Sequence, residues 1–335
     1  MVIPTRSKLV RILELRTYFA QRVLKSLGTI FLALTIDFYL FRILPGDPAS
    51  MIARDARLTP DQMAILRASF GIDKPLYEQY GIFIANTLKL NLGLSFFYKV
   101  PVSDLLFERL ANTLYLVGLG TLASMAIGLV LGTIAAWYRG KAPDRIASGS
   151  ALLFYSMPSF WISMVLIYAL AVVIPIFPTG GMINDRLINP SWATASADSL
   201  YHLALPLVTY SLVNAGSYAL IMRTAVINTL SEDYVVTAKA KGLSDLDVFR
   251  KHVLKNAALP TITLIAIQLG WMVLGAIAVE SVFNWPGVGL LMYQAIYYRD
   301  YPLLQGTFIF FTVFMVLANL IADMLYSFLD PRVRY

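Results

Sequence analysis

The sequence predicts an all-α integral membrane protein of six transmembrane helices, with both termini cytoplasmic and a folded external segment between spans one and two. Three observations carry that prediction. Hydrophobic residues make up 58% of the 335 and charged residues only 14%, against about 25% charged in a soluble domain. Long stretches without Asp, Glu, Lys or Arg recur along the chain, and a helix needs roughly 20 mostly apolar residues to cross a bilayer. Basic residues gather beside alternate ends of those stretches, as expected when positive charge stays on the cytoplasmic side.

The elements follow in order. Arg6, Lys8, Arg11, Arg16, Arg22 and Lys25 surround the start of the first apolar run, Leu24–Leu44, and no small-x-small cleavage site follows it. It reads as an uncleaved first span rather than a signal peptide. It contains Asp37 and ends near Arg42. An ionised group at a helix centre costs about 2.5–3.5 kcal/mol on insertion scales, but Asp37 lies near the end of the run, where a partner or a shallow position absorbs that cost. Asp37 and Arg42 lie somewhat off one helical face, so mutual pairing and separate partners both stay open.

The external segment looks folded. Thr59-Pro60-Asp61-Gln62 has a capping hydroxyl, a proline at the first helical position and a capping-box Gln. Gly71 stops that helix, and a second amphipathic stretch, Tyr77–Leu90, follows Pro75. Five clean apolar stretches come next: Leu110–Tyr138, Ile146–Asn184, Ser199–Met222, Asn256–Val279 and Tyr301–Ala322. The second of these is too long for one helix, and Pro175 and Pro178 predict its end near Ile174.

Six spans put both termini on one side. That side holds the basic N-terminus, the loop with Arg139, Lys141 and Arg145, the loop from Arg223 to Lys255, and Arg332 and Arg334. The short loops opposite hold one basic residue each, Arg186 and Arg299. The domains expected are 1–44 (cytoplasmic N-terminus and first span), 45–109 (external segment), 110–330 (a five-helix core) and 331–335 (cytoplasmic tail).

The most informative segment is the cytoplasmic loop 223–260. Ser231-Glu232-Asp233 places a capping hydroxyl and two acids at a helix start, where the macrodipole favours negative charge. The helix runs through Thr237-Ala238-Lys239-Ala240-Lys241 and stops at Gly242. Ser244 caps a second helix, with Asp247 at the capping-box position, until Leu259-Pro260 opens the next span. The small Ala238 and Ala240 are expected to let another protein approach the first helix closely.

Glu232-Asp233-Tyr234-Val235-Val236-Thr237-Ala238-Lys239-Ala240-Lys241-Gly242-Leu243-Ser244, followed by Lys255-Asn256-Ala257-Ala258-Leu259-Pro260, resembles the EAA loop of ABC importer permeases. It is most similar to the form in the dipeptide/oligopeptide/nickel family. Leu44-Pro45-Gly46-Asp47-Pro48, Ser156-Met157-Pro158-Ser159-Phe160, Glu280 to Gly289 (Glu-Ser-Val-Phe-Asn-Trp-Pro-Gly-Val-Gly) and Asp330-Pro331-Arg332 resemble that family in the same order. One departure stands out: the general pattern begins with Glu where this chain has Thr237, so a salt contact of that Glu does not carry over.

The resemblance implies a type I ABC importer permease fold, with residues 110–330 as its core and 223–260 as the ATPase-coupling loop. It implies that Glu232, Asp233, Tyr234, Thr237, Ala238, Lys239, Ala240, Lys241, Gly242 and Leu243 meet a groove of a cytoplasmic ATPase. It also implies a homologous second permease forming a heterodimer, two ATP-binding cassette subunits that bind ATP and Mg, and an extracytoplasmic solute-binding protein. Glu280, Phe283, Trp285, Pro286, Gly287 and Gly289 are expected to shape the external mouth of the pathway. The expected cargo is di- or oligopeptide, with nickel, glutathione, opines and oligosaccharides as alternatives. An ion-coupled secondary transporter is the alternative of another class.

Other function classes lack their residues. There is no cysteine, and His202 and His252 are the only histidines, which disfavours a metal centre built by this chain. No Gly-x4-Gly-Lys-Ser/Thr occurs, so no cofactor is expected on the chain itself. No His-Glu-x-x-His or Gly-x-Ser-x-Gly is present, which disfavours a membrane hydrolase. The net charge of +7 is that of cytoplasmic loops rather than of a nucleic-acid binder. Ser124, Gly128 and Gly132 form a small-xxx-small stripe suited to close helix packing. Glu280 and Asp323 lie towards span ends, which favours structural pairing over an ion relay, and His202 is expected to be structural. Trp137, Tyr138, Trp161 and Trp285 are read as interfacial belt or packing residues rather than a substrate cage.

Overall fold

The structure is a computed structural model and describes residues 8–43, 74–258 and 276–329. Leu44–Pro48, the helix start at Thr59, Gly71, the body of the fifth apolar stretch and the Asp330-Pro331-Arg332 tail lie outside the described residues. The described residues are helical throughout apart from loops and one isolated bridge between Leu94 and Pro101. Among the described residues four helices are long and apolar enough to cross a membrane, or five if a bent helix pair is counted as one span. The expected sixth, 256–279, falls largely on 259–275, outside the described residues.

The first helix, α1, runs from Lys8 to Ile43. Helix α2, Leu76–Leu88, agrees with the amphipathic stretch expected there. Helix α3, Val102–Trp137, and helix α6, Trp192–Leu230, have 36 and 39 residues. At 1.5 Å per residue they reach about 54 and 58 Å, well beyond a hydrocarbon core of about 30 Å. Both exceed the apolar stretches that predicted them, because the helical backbone continues into flanking polar residues, Asp104, Glu108 and Arg109 in α3 and Arg223 and Asn228 in α6. Ser191 starts α6, its side chain accepting from the Thr194 N–H at 3.2 Å.

Between α3 and α6 the structure corrects the sequence. The stretch from Ile146 to about Ile174 is not one helix. Helix α4, Ala142–Ser156, and helix α5, Ser159–Ile167, meet at a bend of 101°. Met157 is extended (φ −81°, ψ 136°) because the ring of Pro158 bars the helical region to the residue before it. Pro158 also brings no N–H for the α4 ladder. Helix α5 continues as a π-helical segment, Tyr168–Val173, and ends at Ile174, where Pro175 was expected to stop it.

The shorter elements are α7 (Asp233–Ala240), α8 (Asp245–Val248, continuing as π-helix over Phe249–Leu254), α9 (Ile277–Val282) and α10 (Val288–Tyr297). The last helix, α11, spans Tyr301–Leu329.

The chain divides into two compact units. One holds residues up to Ala111 together with Leu291–Leu317. In it Phe38 of α1 packs edge-on to Tyr80 of α2, and Thr35 and Tyr80 share a hydroxyl hydrogen bond of 2.7 Å. Asp37 is buried and accepts from Gln305 Nε2 at 3.2 Å, while Arg42 lies over the Phe38 ring. The two charged residues thus take separate partners. Asp300, buried between α10 and α11, accepts from Ser95 Oγ (2.5 Å), Phe97 N–H (3.0 Å) and Leu303 N–H (3.2 Å).

The other unit holds Asn112–Leu290 and the chain from Ala318. Its centre is the crossing of α3 on α6. A Cβ at Gly128 would collide with the Ala215 carbonyl and Tyr218, and one at Gly132 with the Ala219 carbonyl and Met222. Gly120 meets Tyr210 in the same way, and Ser124, fully buried, turns its hydroxyl back to the Gly120 carbonyl at 2.6 Å. The small-residue stripe does what its spacing predicts and extends one turn further. On another face of α6, Gly216 lets the Ala151 carbonyl of α4 approach to backbone contact.

Candidate functional site

The segment after α6 folds as an elbow of two short helices. Helix α6 ends at Leu230, and Ser231 belongs to that end: its N–H bonds the Asn228 carbonyl at 3.2 Å and its hydroxyl donates to the same atom at 2.7 Å. The expectation that Ser231 caps the next helix is therefore corrected. Glu232, extended at φ −76° and ψ 143°, is the residue that opens α7, with no side-chain cap. Asp233 lies in the first turn, where the macrodipole favours it.

Two signals read from the sequence are present as geometry. Gly242 stands at φ +82°, its N–H on the Lys239 carbonyl at 2.9 Å, so it ends α7 in the left-handed conformation glycine tolerates best. Ser244 accepts from the Asp247 N–H at 3.2 Å and donates to the Asp247 carboxylate at 2.8 Å. Lys251 lies 2.8 Å from the same carboxyl and, with Ser244, holds it below the usual carboxylate range. Lys239 and Asp245, 3.0 Å apart, tie the two arms together.

The elbow has an inner and an outer face. Val235 and Ala238 of α7 are buried with Val248, Phe249, Val253 and Ala257 against Ala136 of α3 and Met222 and Val226 of α6. The Trp137 ring meets Phe249 edge-on at 4.3 Å. Trp137 thus helps support the elbow while part of its surface stays exposed. On the outer face Tyr234, Val236, Leu243 and Leu246 are exposed, with Thr237, Lys239, Ala240, Lys241 and Gly242 beside them. This corrects one expectation: Ala238 is small to fit its own chain, since its i,i+3 spacing from Val235 puts both inside. Ala240 alone of the two is open to an approaching protein.

A polar knot braces the same region. Arg223 of α6 donates to Asp144 of α4 through Nε (2.8 Å) and Nη2 (2.9 Å). Asp144 also accepts from the Gly140 N–H at 2.9 Å and from Ser148 Oγ at 3.0 Å. Sequence reasoning passed over Asp144. The available signal was a single acid within the basic run from Arg139 to Arg145.

The second group, from Glu280 to Gly289, is an internal brace. Glu280 is fully buried and accepts from Thr113 Oγ1 (2.8 Å) and from the N–H groups of Gly289 (2.7 Å) and Leu290 (3.1 Å). A Cβ at Gly287 or Gly289 would run into the Glu280 carboxylate. Phe283 and Trp285 are also fully buried, and Trp285 Nε1 donates to the Asn112 carbonyl at 2.9 Å. Asn112 Nδ2 returns a bond to the Pro286 carbonyl at 2.8 Å, and Thr113 Oγ1 accepts from the Val288 N–H. The side chains expected at an external mouth point inward in this structure; only Pro286 among them is part-exposed. Trp285 is core, not belt. His202 is buried with Nδ1 2.9 Å from the Asp198 carbonyl, a structural placement.

Comparison with known proteins follows the same lines. The family described as the binding-protein-dependent transport system inner membrane component matches residues 128–335, and its N-terminal companion matches residues 15–117. The glutathione transport system permease protein GsiC of Escherichia coli O6:H1 is 36% identical over 321 residues, covering 95% of this chain and 99% of that one. The protein of the same name from Escherichia coli K12 is 35% identical over the same span. Among solved structures, the inward-facing MetNI methionine ABC transporter superposes with a TM-score of 0.53 at 17% identity, covering 68% of this chain and 96% of that one. An amino acid ABC transporter with histidines gives 0.50 at 15%, covering 69% and 95%. These two likenesses concern the fold.

Proposed function

The chain belongs to the binding-protein-dependent transport system inner membrane component family, the permeases of ABC importers, and from that premise we propose that the elbow 232–258 is its ATPase-coupling element. The chain is a multi-pass transport subunit of the inner membrane and not an enzyme; ATP in such systems is bound by separate ATPase subunits. The observation that carries the proposal is the division of the elbow into two faces. One is a dry core shared with α3 and α6, and the other presents Tyr234, Val236, Leu243 and Leu246 outward. A helix pair packed this way moves with the membrane helices as one body, as domain-closure mechanisms require.

On this reading the elbow is cytoplasmic, as are both termini, and the apolar stretches of the sequence, Asn256–Val279 among them, make six spans. The domain limits are 1–44, 45–109, 110–330 and 331–335. A second, homologous permease completes the pathway, two ATP-binding cassette subunits bind ATP and Mg, and a solute-binding protein delivers cargo. The cargo is a short peptide or peptide-like molecule. The name of the 36%-identical relative puts glutathione first among candidates, ahead of nickel, opines or oligosaccharides.

The test is cross-linking. Tyr234→Cys, Val236→Cys and Leu246→Cys, in a chain that has no cysteine of its own, are expected to cross-link to the co-purified ATPase in an ATP-dependent manner. An absence of cross-links in a transport-competent complex would remove the elbow from the coupling path.

A further inference from the structure

The bend between α4 and α5 places non-helical backbone inside a segment that, taken as one, is apolar and long enough to cross the membrane. Lipid offers no hydrogen bonds. Irregular backbone at membrane depth is tolerated only where protein buries it or where it borders a water-filled cavity. At this break the chain turns extended at Met157 and Pro158 has no N–H, so the carbonyls of Phe154, Tyr155 and Ser156 lose the donors of a continuous helix. Ser156 does not relieve them, since its hydroxyl donates to the Leu153 carbonyl at 3.0 Å.

One side of the break is fixed and the other is open. The Ala151 carbonyl and Tyr155 Cβ sit against Gly216 of α6, and Ile162 and Ser163 are buried. The open side carries Tyr155, Ser156, Pro158, Phe160, Trp161 and Met164, all exposed. We propose that this break lines the translocation route and that the freed carbonyl end of α4 receives the α-ammonium group of a passing peptide. The proposal rests on the importer reading and names the cargo's recognised group.

The chemistry selects that group. The C-terminal end of a helix carries partial negative charge, and α4 is 15 residues long. Aromatic faces such as Tyr155, Phe160 and Trp161 add cation–π attraction without reading side-chain identity. From Ile146 to Asn184 there is no acid and no histidine, so a bare divalent ion would find only neutral ligands, oxygens and thioethers such as those of Met157 and Met164. Carbonyl oxygens hold a cation without a full counter-charge, which lets it leave again.

Ser156→Cys and Met157→Cys introduce a lone thiol in a cysteine-free chain, in the fully assembled and reconstituted transporter. The probe is a charged, membrane-impermeant methanethiosulfonate, with Val130→Cys on the apolar surface of α3 as reference. Both break variants are expected to react several-fold faster than Val130→Cys. Glutathione or trialanine in excess should slow that reaction, and N-acetylated trialanine should not. Reactivity no greater than at Val130 would overturn the placement in the route and point to cover by the second permease. Equal protection by free and acetylated trialanine would overturn the ammonium assignment. Failure of the unaltered complex to couple uptake to ATP would instead sink the importer reading, whatever the thiols report.

Discussion

Arg223 of α6 grips Asp144 of α4 with two hydrogen bonds, Nε to Oδ1 at 2.8 Å and Nη2 to Oδ2 at 2.9 Å. The pair joins the α3–α4 turn to the end of α6 that leads directly into the elbow. A planar guanidinium meeting a carboxylate this way fixes direction as well as distance.

Removing either partner should loosen the base on which the elbow moves. Asp144→Ala and Arg223→Met are each expected to lower the unfolding temperature of the detergent-purified protein and to cut ATP-coupled uptake several-fold. The double variant should be little worse than the more damaged single one, as for two ends of one interaction. Strictly additive losses in that cycle would contradict the pairing.

The two small residues of α7 make the sharpest contrast. Ala240→Glu puts a charge on the exposed face, so the protein should insert and fold while binding-protein-stimulated ATP hydrolysis is lost. Ala238→Glu drives a carboxylate into a dry core beside Val248 and Phe249. Burying an unpaired charge is costly enough to disrupt the local fold, so this variant should show poor accumulation and protease sensitivity in the elbow. Limited proteolysis alongside ATPase assays separates the two. If Ala238→Glu stayed folded and merely uncoupled, the assignment of faces would be reversed.

How much of this was legible in advance depended on the range of the interaction. Gly242, and Ser244 with Asp247, act within four residues, and the sequence placed all three correctly. Ser124, Gly128 and Gly132 were legible as a packing stripe because helical spacing alone puts them on one face; that the partner was α6 was not. Ser231 was misread because a hydroxyl next to an acid looks the same at the end of one helix as at the start of the next. The break at Met157-Pro158 was missed although Pro158 was in plain view, since the apolar character of the stretch argued for one span. Glu280 was legible as a structural acid from its place near a span end. Thr113, its hydroxyl partner, lies 167 positions away and Arg223 lies 79 from Asp144, so neither pairing could be read from spacing.

Glu280 can be tested as a structural acceptor. Its two oxygens receive one hydroxyl and two backbone N–H groups in a fully buried site. Glu280→Gln keeps the shape but turns an NH2 group towards a donor. An unmet buried donor costs on the order of 1–3 kcal/mol, so the unfolding midpoint of the purified protein should fall clearly. Gly287→Ala should do the same by pushing its methyl into the carboxylate. If Glu280→Gln kept full stability and lost only transport, Glu280 would belong to the route and not to the brace.

The α3–α6 crossing predicts a graded series. Gly128→Ala and Gly132→Ala each place a methyl against the backbone of α6, at the Ala215 and Ala219 carbonyls. Backbone cannot swing aside as a side chain can, so the helices must separate. Overpacking of this kind costs about 1–3 kcal/mol. Gly149→Ala, which meets nothing within 4 Å, is the matched control and should be neutral or slightly stabilising. Thermal unfolding in detergent reads all three, and equal effects would show that the close approach at α3–α6 is not what these glycines are for.

The second arm of the elbow carries a pH-sensitive pair, Asp247 and Lys251. Lys251 first, and then Ser244, hold the Asp247 carboxyl below its ordinary range. A carboxylate depressed in the folded state stabilises that state above the pKa it has when unfolded, and the contribution is lost as pH falls through the lower, folded value. Amide protection over 245–254, corrected for intrinsic exchange, should therefore hold near neutrality and decline as the medium becomes acidic enough to protonate Asp247. Asp247→Asn retains the helix-start geometry but cannot ionise, so its protection should be weaker at neutral pH and flat through the acid range. The pair is exposed, so salt should weaken the wild-type protection towards that of the variant. A wild-type profile as flat as that of Asp247→Asn would mean that the Ser244 cap, and not the charge on Asp247, holds the arm in place.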